Sequence, residues 1–363
     1  MMEETPRTYY IAAIPGDGIG IEVVGAALKV LQVAAKSSGR YQIETTTFPW
    51  GTAYYKDNGI FLPPDFQETL KRYDAVLFGA VGYPDVPDHL SLWGLLLKLR
   101  GPMQLYANIR PIKCLTQPRL ADVSPSDLDW LLVRENSEGE YSGHGGRSHI
   151  GCNWEVATET SVFTRHGITR IIRFAFEAAR QRPRKHLTVV SKSNAQRHGL
   201  VLWDEIAAEI SHEFSDVTWD KELVDAMTMR MVQKPHSIDT IVGTNLHLDI
   251  LSDLAASLAG SIGIAASANL DPTRKNPSVF EPVHGSAFDI MGKGIANPIG
   301  AIWAAADMLS WIGEKDSGDS VMAAIAKVCR DGRVTKDMGG SLNTSEAAEA
   351  ICEELSAHEQ TRC

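Results

Sequence analysis

Short apolar runs alternate with longer stretches of helical spacing along this chain. YYIAAI (9–14) reads as a buried strand, helical spacing runs from about Ile19 to Ala35, and YQIETTTF (41–48) reads as a second strand. DAVLFGAV (74–81) follows as a buried strand and LWGLLLKLR (92–100) as an apolar helix. Further strands are predicted at 129–135, 186–193 and 239–245, with helices at 166–181, 200–213 and 222–233 between them. This order predicts an α/β architecture with a largely parallel sheet. NWEVATETSVFT (153–164) is rich in β-formers yet half polar and follows the glycine-rich SGHGGRSHIG, which predicts a projecting β arm. The last hundred residues read as mostly helical, with the loop PVHGSAFDIMGKGIANP in their midst.

Length and charge narrow the picture. The 363 residues suffice for two domains or lobes. Forty-five acids against thirty-five bases give a net charge of −10, which argues against nucleic acid as a partner. Cys114, Cys152, Cys329, Cys352 and Cys363 are odd in number and form no CxxC pair, so they read as reduced thiols of a cytoplasmic protein. The first residues lack a signal-peptide pattern. PIGAIWAAADMLSWIG is interrupted by Asp307 and too short for a bilayer, so no membrane partner is expected.

Several motifs carry candidate chemistry. IPGDGIG (14–20) is not a Rossmann fingerprint: Gly16, Gly18 and Gly20 alternate, and Ile21 stands where the third glycine belongs. A tight strand-to-helix turn fits it better. Arg100, Arg110 and Arg134 each adjoin strongly apolar residues, where a guanidinium is rarely placed without a partner. Converging, they suit a di- or tricarboxylic acid; singly, each is equally a structural ion-pair partner. Lys192 ends an apolar strand, where it is either a candidate general base or a solvated strand-end lysine. In NLHLDILSDL, Asp249 and Asp253 stand one helical turn apart, with Asp225 in KELVDAMTMR a third acid. Carboxylates ~4 Å apart repel by about 4 kcal/mol per pair at an effective dielectric near ~20, a penalty that Mg²⁺ or Mn²⁺ removes. The alternative is a surface pair facing water. In the glycine-bearing loop, Asp289 is a candidate acceptor for a ribose diol, alongside His284 and Asn297.

Together the ordered motifs PGDGIG, LLxLR, NIRP, VRENSEGEY, KSN, NLxxDILSD and EPVHGSAxDIxGKxIANP resemble the metal-dependent β-decarboxylating dehydrogenases, the isocitrate/isopropylmalate dehydrogenase family. The resemblance covers about residues 9 to 356. VPDHLSLWG (86–94) is most similar to the branch acting on tartrate and D-malate. It implies a two-lobed isopropylmalate dehydrogenase-like α/β fold with a central, mostly parallel sheet. The large cofactor-binding lobe would be 1–105 plus 264–363. The smaller lobe, 106–263, would carry the dimer interface and the arm at about 143–165.

The resemblance also implies roles. Arg100, Arg110 and Arg134 would hold substrate carboxylates, with Trp93 beside the C3 pocket. Asp225, Asp249 and Asp253 would hold Mg²⁺ or Mn²⁺, with Asp225 and Lys192 supplied by the partner subunit of a homodimer. Tyr141 and Lys192 would be the acid–base pair, with Asp225 beside them. NAD would lie along Glu281, His284, Gly285, Asp289 and Asn297, with Asn194 also near it. The expected reaction is NAD-dependent oxidative decarboxylation of a (2R)-malate-like 2-hydroxy diacid such as D-malate or tartrate. Alternatives are 3-isopropylmalate dehydrogenation, which Trp93 disfavours, oxidation of a modified malate, and a non-catalytic metabolite-binding regulatory subunit. The chain departs from the family at His247-Leu248, where Phe-Gly is usual, at Phe288 in place of Pro, and at Gly101-Pro102 after Arg100. His247 is open to three readings: nitrogen ligand, second titrating group, or packing.

Overall fold

A computed structural model describes residues 6–360. The first hundred residues form β1 (Arg7–Gly16), α1 (Gly20–Ser38), β2 (Tyr41–Thr47), α2 (Thr52–Asn58), α3 (Phe66–Leu70) and β3 (Ala75–Ala80). The apolar segment before Arg100 is α4 (Asp88–Ser91), a π-helical turn at Leu92–Leu96, and α5 (Leu97–Arg100). The middle of the chain forms β4 (Ala107–Lys113), β5 (Asp129–Glu135), β6 (Gly139–Ser148), β7 (Val156–Val162), α6 (Arg165–Gln181), β8 (His186–Ser191), α7 (Gly199–Ser211), β9 (Thr218–Leu223), α8 (Val224–Gln233), β10 (Thr240–Gly243) and α9 (Asn245–Ala259). The remainder is β11 (Ala266–Leu270), β12 (Ser278–Pro282), α10 (Ile299–Ile312), α11 (Lys315–Arg330) and α12 (Thr344–Gln360).

The chain divides into two compact units. One comprises residues up to Leu105, Leu115–Gln117 and residues from Ala259; the other comprises Tyr106–Cys114 and Pro118–Leu258. In the first, the strand order is β2-β1-β3-β12-β11, parallel except for β11 against β12. In the second it is β4-β5-β10-β8-β9, parallel except for β4 against β5. Every residue of β3 and β10 is buried, the pattern of strands covered on both faces. The α10 helix is apolar nearly all round and packs against α1, α11, β11 and β12, as a core helix must. No helix among the described residues is long and apolar enough to cross a membrane.

Three strand predictions needed revision. The last hundred residues are not helical apart from one loop: β11 and β12 lie there, and ASANL lacks the β-branched run that would have marked a strand. KEL belongs to β9 rather than to the following helix. The glycine-rich stretch is not merely a flank of the arm. It is β6, paired antiparallel with β7 in a separate two-stranded sheet, where a Cβ at Gly145 would overlap the Thr158 carbonyl. Glycine there lets the two backbones meet, which polarity alone does not reveal.

Candidate active site

In the second unit, β4 and β5 carry Arg110 and Arg134, both buried, on antiparallel neighbours. Arg110 donates from Nε to Asn108 Oδ1 at 2.9 Å and from Nη1 to Ser252 Oγ at 2.6 Å, and lies 3.3 Å from Asp249 Oδ1. Arg134 gives Nε and Nη2 to the single oxygen of Asn245 at 2.9 and 2.6 Å, and its Nη1 pairs with Asp249 Oδ1. One edge of the guanidinium is thus fixed by an amide, which orients the fork. Tyr141, at the root of the β6 strand, donates its hydroxyl to Asp249 Oδ2 at 3.0 Å. Two arginines, a tyrosine and an aspartate therefore converge on one turn of α9.

Asp253 is on the next turn, with no hydrogen-bond or ion-pair partner for its carboxylate among the described residues. It keeps access to solvent, yet surrounding protein pushes its carboxyl above the usual range. The Asp249 charge adds to the rise, while Arg110 and Arg134 oppose it. A hard oxygen donor without a partner, one turn from a second carboxylate, fits a divalent cation. Asp225 is not beside them. It opens α8, exposed, and accepts from Lys192 Nζ at 2.6 Å; that hydrogen bond first, then backbone N–H groups, holds its carboxyl below the usual range. Among the described residues, no three His, Cys, Asp or Glu side chains of this one chain are grouped to hold a metal ion. The chain thus brings Asp249 and Asp253 together and leaves Asp225 with Lys192. Asn194 is exposed in the turn that follows β8.

His247 is buried on α9, and burial pushes its imidazole below the usual value, against the pull of Glu140 and with the push of Lys192. Its Nδ1 has no hydrogen-bond partner among the described residues.

The first unit carries the other candidates. Arg100 is buried at the end of α5 and donates from Nη2 to Glu281 Oε1 at 2.9 Å; Glu281, on β12, also accepts from Asn269 at 2.7 Å. Trp93 is 43% exposed within the π-helical turn, which packs where a Cβ at Gly94 would overlap the Phe61 ring. In the loop after β12, His284 Nε2 is buried without a partner among the described residues, and burial pushes the imidazole below its usual value. A side chain at Gly285 would meet nothing, and Asp289 is exposed with its carboxylate unpaired among the described residues. An orphaned ring nitrogen, open space and a free carboxylate fit a nucleoside with its ribose diol. Asn297 is already engaged: its amide donates to Asp337 Oδ2 at 3.0 Å and its oxygen accepts from the Ile299 N–H. Phe288 packs edge-on against Tyr83, ring centroids 4.6 Å apart.

Sequence reasoning missed four supporting features. Asn245 holds Arg134, Glu140 accepts from Thr244 and the Leu246 N–H at the start of α9, and Asp337 ties Asn297 down. The fourth is the GDG turn. Gly18 has φ +58, a Cβ there would overlap the Ser286 carbonyl, and Ile19 N–H donates to that carbonyl at 2.9 Å. Asp17 meanwhile accepts from Thr52 and Gly82. The turn is a buttress for the 284–289 loop rather than a phosphate cradle. Only the spacing of its glycines hinted at close packing.

Convergent arginines, a tyrosine and neighbouring acids on one α/β unit make the site of an enzyme suited to small acidic compounds. The chain belongs to the isocitrate/isopropylmalate dehydrogenase family, whose model matches residues 10–351. It is 60% identical over 351 residues to a probable tartrate dehydrogenase/decarboxylase of Agrobacterium vitis, covering 96% of this chain and 98% of that one. It is 47% identical to the D-malate dehydrogenase (decarboxylating) of Escherichia coli K12, covering 95% of this chain and 98% of that one. The isocitrate dehydrogenase of Methylococcus capsulatus superposes with a TM-score of 0.87 at 38% identity, covering 96% of this chain and 99% of that one.

Proposed function

We propose that this protein catalyses NAD-dependent, divalent-metal-dependent oxidative decarboxylation of a (2R)-malate-like 2-hydroxy diacid, D-malate or tartrate. The names borne by relatives at 47–60% identity support the substrate class. The observation that carries the chemistry is the meeting of Arg110, Arg134 and Tyr141 on Asp249. Asp249 and Asp253, with Asp225, would hold Mg²⁺ or Mn²⁺. Glu281, His284, Gly285, Asp289, Asn297 and Asn194 would hold NAD, and the Asp289 carboxylate disfavours the 2′-phosphate of NADP. When bound, NAD⁺ accepts a hydride and the cation supplies Lewis acidity.

The chain's own residues do the rest. Arg100, Arg110 and Arg134 grip the carboxylates and fix the diacid's orientation. Lys192 takes the proton of the C2 hydroxyl as hydride leaves C2. Carbon dioxide then departs, its bonding electrons staying on C3, and Tyr141 donates a proton there. The exposed Trp93 indole narrows the room around C3, favouring a small substituent over an isopropyl group.

The site is completed by a second copy in this reading. Asp225 pairs with Lys192 and is not grouped with Asp249 and Asp253 among the described residues of one chain. Met229 and Val232 on α8 and Leu246 and Ile250 on α9 are exposed apolar residues on the helices that bear the acids. A homodimer burying them would bring a partner's Lys–Asp pair to each Asp249–Asp253 pair. Ile250→Asp is expected to shift the protein to monomers in light scattering and to cut turnover at least tenfold; a fully active monomer would refute the shared site. With buried Cys114, Cys329 and Cys352 and exposed Cys152 all free, and Cys363 outside the described residues, a reducing cytoplasm suits the chain.

The direct assay follows NADH absorbance with D-malate, tartrate and 3-isopropylmalate. D-malate or tartrate should turn over, 3-isopropylmalate poorly. EDTA should abolish the signal, and excess Mn²⁺ should restore it. Failure to oxidise any of the three with Mn²⁺ present would sink the proposal.

A further inference from the structure

We infer that Glu140 is a positioning residue that aims the Tyr141 hydroxyl, an inference that rests on the dehydrogenase reading and deepens it. Its two carboxylate oxygens grip the start of α9. Oε1 accepts from Thr244 Oγ1 at 3.0 Å and Oε2 from the Leu246 N–H at 3.3 Å, on either side of Asn245. The next residue, Tyr141, reaches Asp249 on the following turn of the same helix at 3.0 Å. Neighbouring side chains of a regular strand point to opposite faces. Here the β6–β7 register breaks between Gly139 and His144, and Gly139 has φ +80, so both side chains turn to one helix.

The arrangement has a physical logic. An anion at a helix N-terminus satisfies otherwise unpaired N–H groups and is favoured by the helix dipole. Glu140 thereby fixes the distance between the arm's root and α9 one residue away from the phenol. Without it, Tyr141 keeps its hydroxyl bond to Asp249 and the Arg134 guanidinium over its ring, but the backbone that carries it loses this tie to α9. Glu140 does not touch the reacting atoms; it acts through Tyr141.

The test compares Glu140→Ala, Glu140→Gln and Tyr141→Phe, and the Glu140→Ala/Tyr141→Phe double variant, with D-malate, NAD⁺ and Mn²⁺. Glu140→Ala should lower kcat about tenfold with KM within about twofold, since a misplaced group costs the chemical step. Glu140→Gln, which keeps one acceptor and the shape, should recover part of the loss. The double variant should match Tyr141→Phe alone. An unchanged kcat, or losses that multiply in the double variant, would overturn the assignment. An independent readout uses protein labelled with ¹³C at the tyrosine ζ carbon, with Tyr141→Phe identifying the line. That line should move in Glu140→Ala, and an unmoved line overturns the inference whatever the enzyme oxidises. Wild-type protein that turns over no diacid refutes the functional reading instead, and the labelled spectrum still decides the role of Glu140.

Discussion

Replacing Lys192 with alanine is expected to lower kcat for D-malate by about 10²–10⁴-fold, the usual contribution of a positioned general base. KM for NAD⁺ should stay within about threefold, because Lys192, just past the end of β8, is not among the residues proposed to hold the nucleotide. Thermal unfolding should hardly change. The substitution removes an ion pair with Asp225, whose side chain is 65% exposed, and exposed pairs contribute little to stability. Kinetics and a melting curve on the same preparation check both halves. A variant that keeps more than about a tenth of the turnover would remove Lys192 from the proton transfer.

The second large effect concerns stability. Asp307 lies on α10, where nine of its neighbours from Ile299 to Leu309 are fully covered apolar residues, Ile299, Ala301, Ile302, Trp303, Ala304, Ala305, Ala306, Met308 and Leu309. Burial pushes its carboxyl up to about 7, despite a hydrogen bond from Trp303 that works the other way. The folded chain therefore keeps a proton that the unfolded chain releases near the ordinary carboxylate value. Stability falls as pH rises through that window and levels off above about 7. The full loss is at most about 4 kcal/mol, and residual solvent access reduces it. Asp307→Asn, which carries no charge, should raise the urea midpoint clearly at about pH 8 and scarcely at about pH 4. Equal gains at both pH values would show that the carboxyl is not the cause.

Most of the parallel framework was legible because its strands are continuous apolar runs between helices of amphipathic spacing. The strands at 9–14, 74–81, 129–135, 186–193 and 239–245 all have counterparts within a few residues. What escaped lacked that contrast. β11 is built from Ala, Ser, Asn and Leu, and β6 from glycines and polar residues, so pairing rather than propensity makes them strands. At the site, the acids and arginines were visible because charge beside apolar sequence is unusual. Asn245 and Glu140 were not, since a polar residue at a helix start or in a polar strand is common and their partners lie 104 to 111 residues away. That Asp225 goes with Lys192 rather than with Asp249 and Asp253 was implied by the family resemblance alone and is invisible in the spacing of the residues.

That separation has a consequence for assembly. Within a lone chain the ammonium of Lys192 already has a carboxylate beside it, and the guanidinium groups of Arg110 and Arg134 already share Asp249. Each newly made subunit thus carries its counterions with it. In the proposed homodimer, joining two copies would exchange the counterions of Lys192, Arg110 and Arg134 rather than strip them, and would leave the Asp253 carboxylate as the charge still to be compensated.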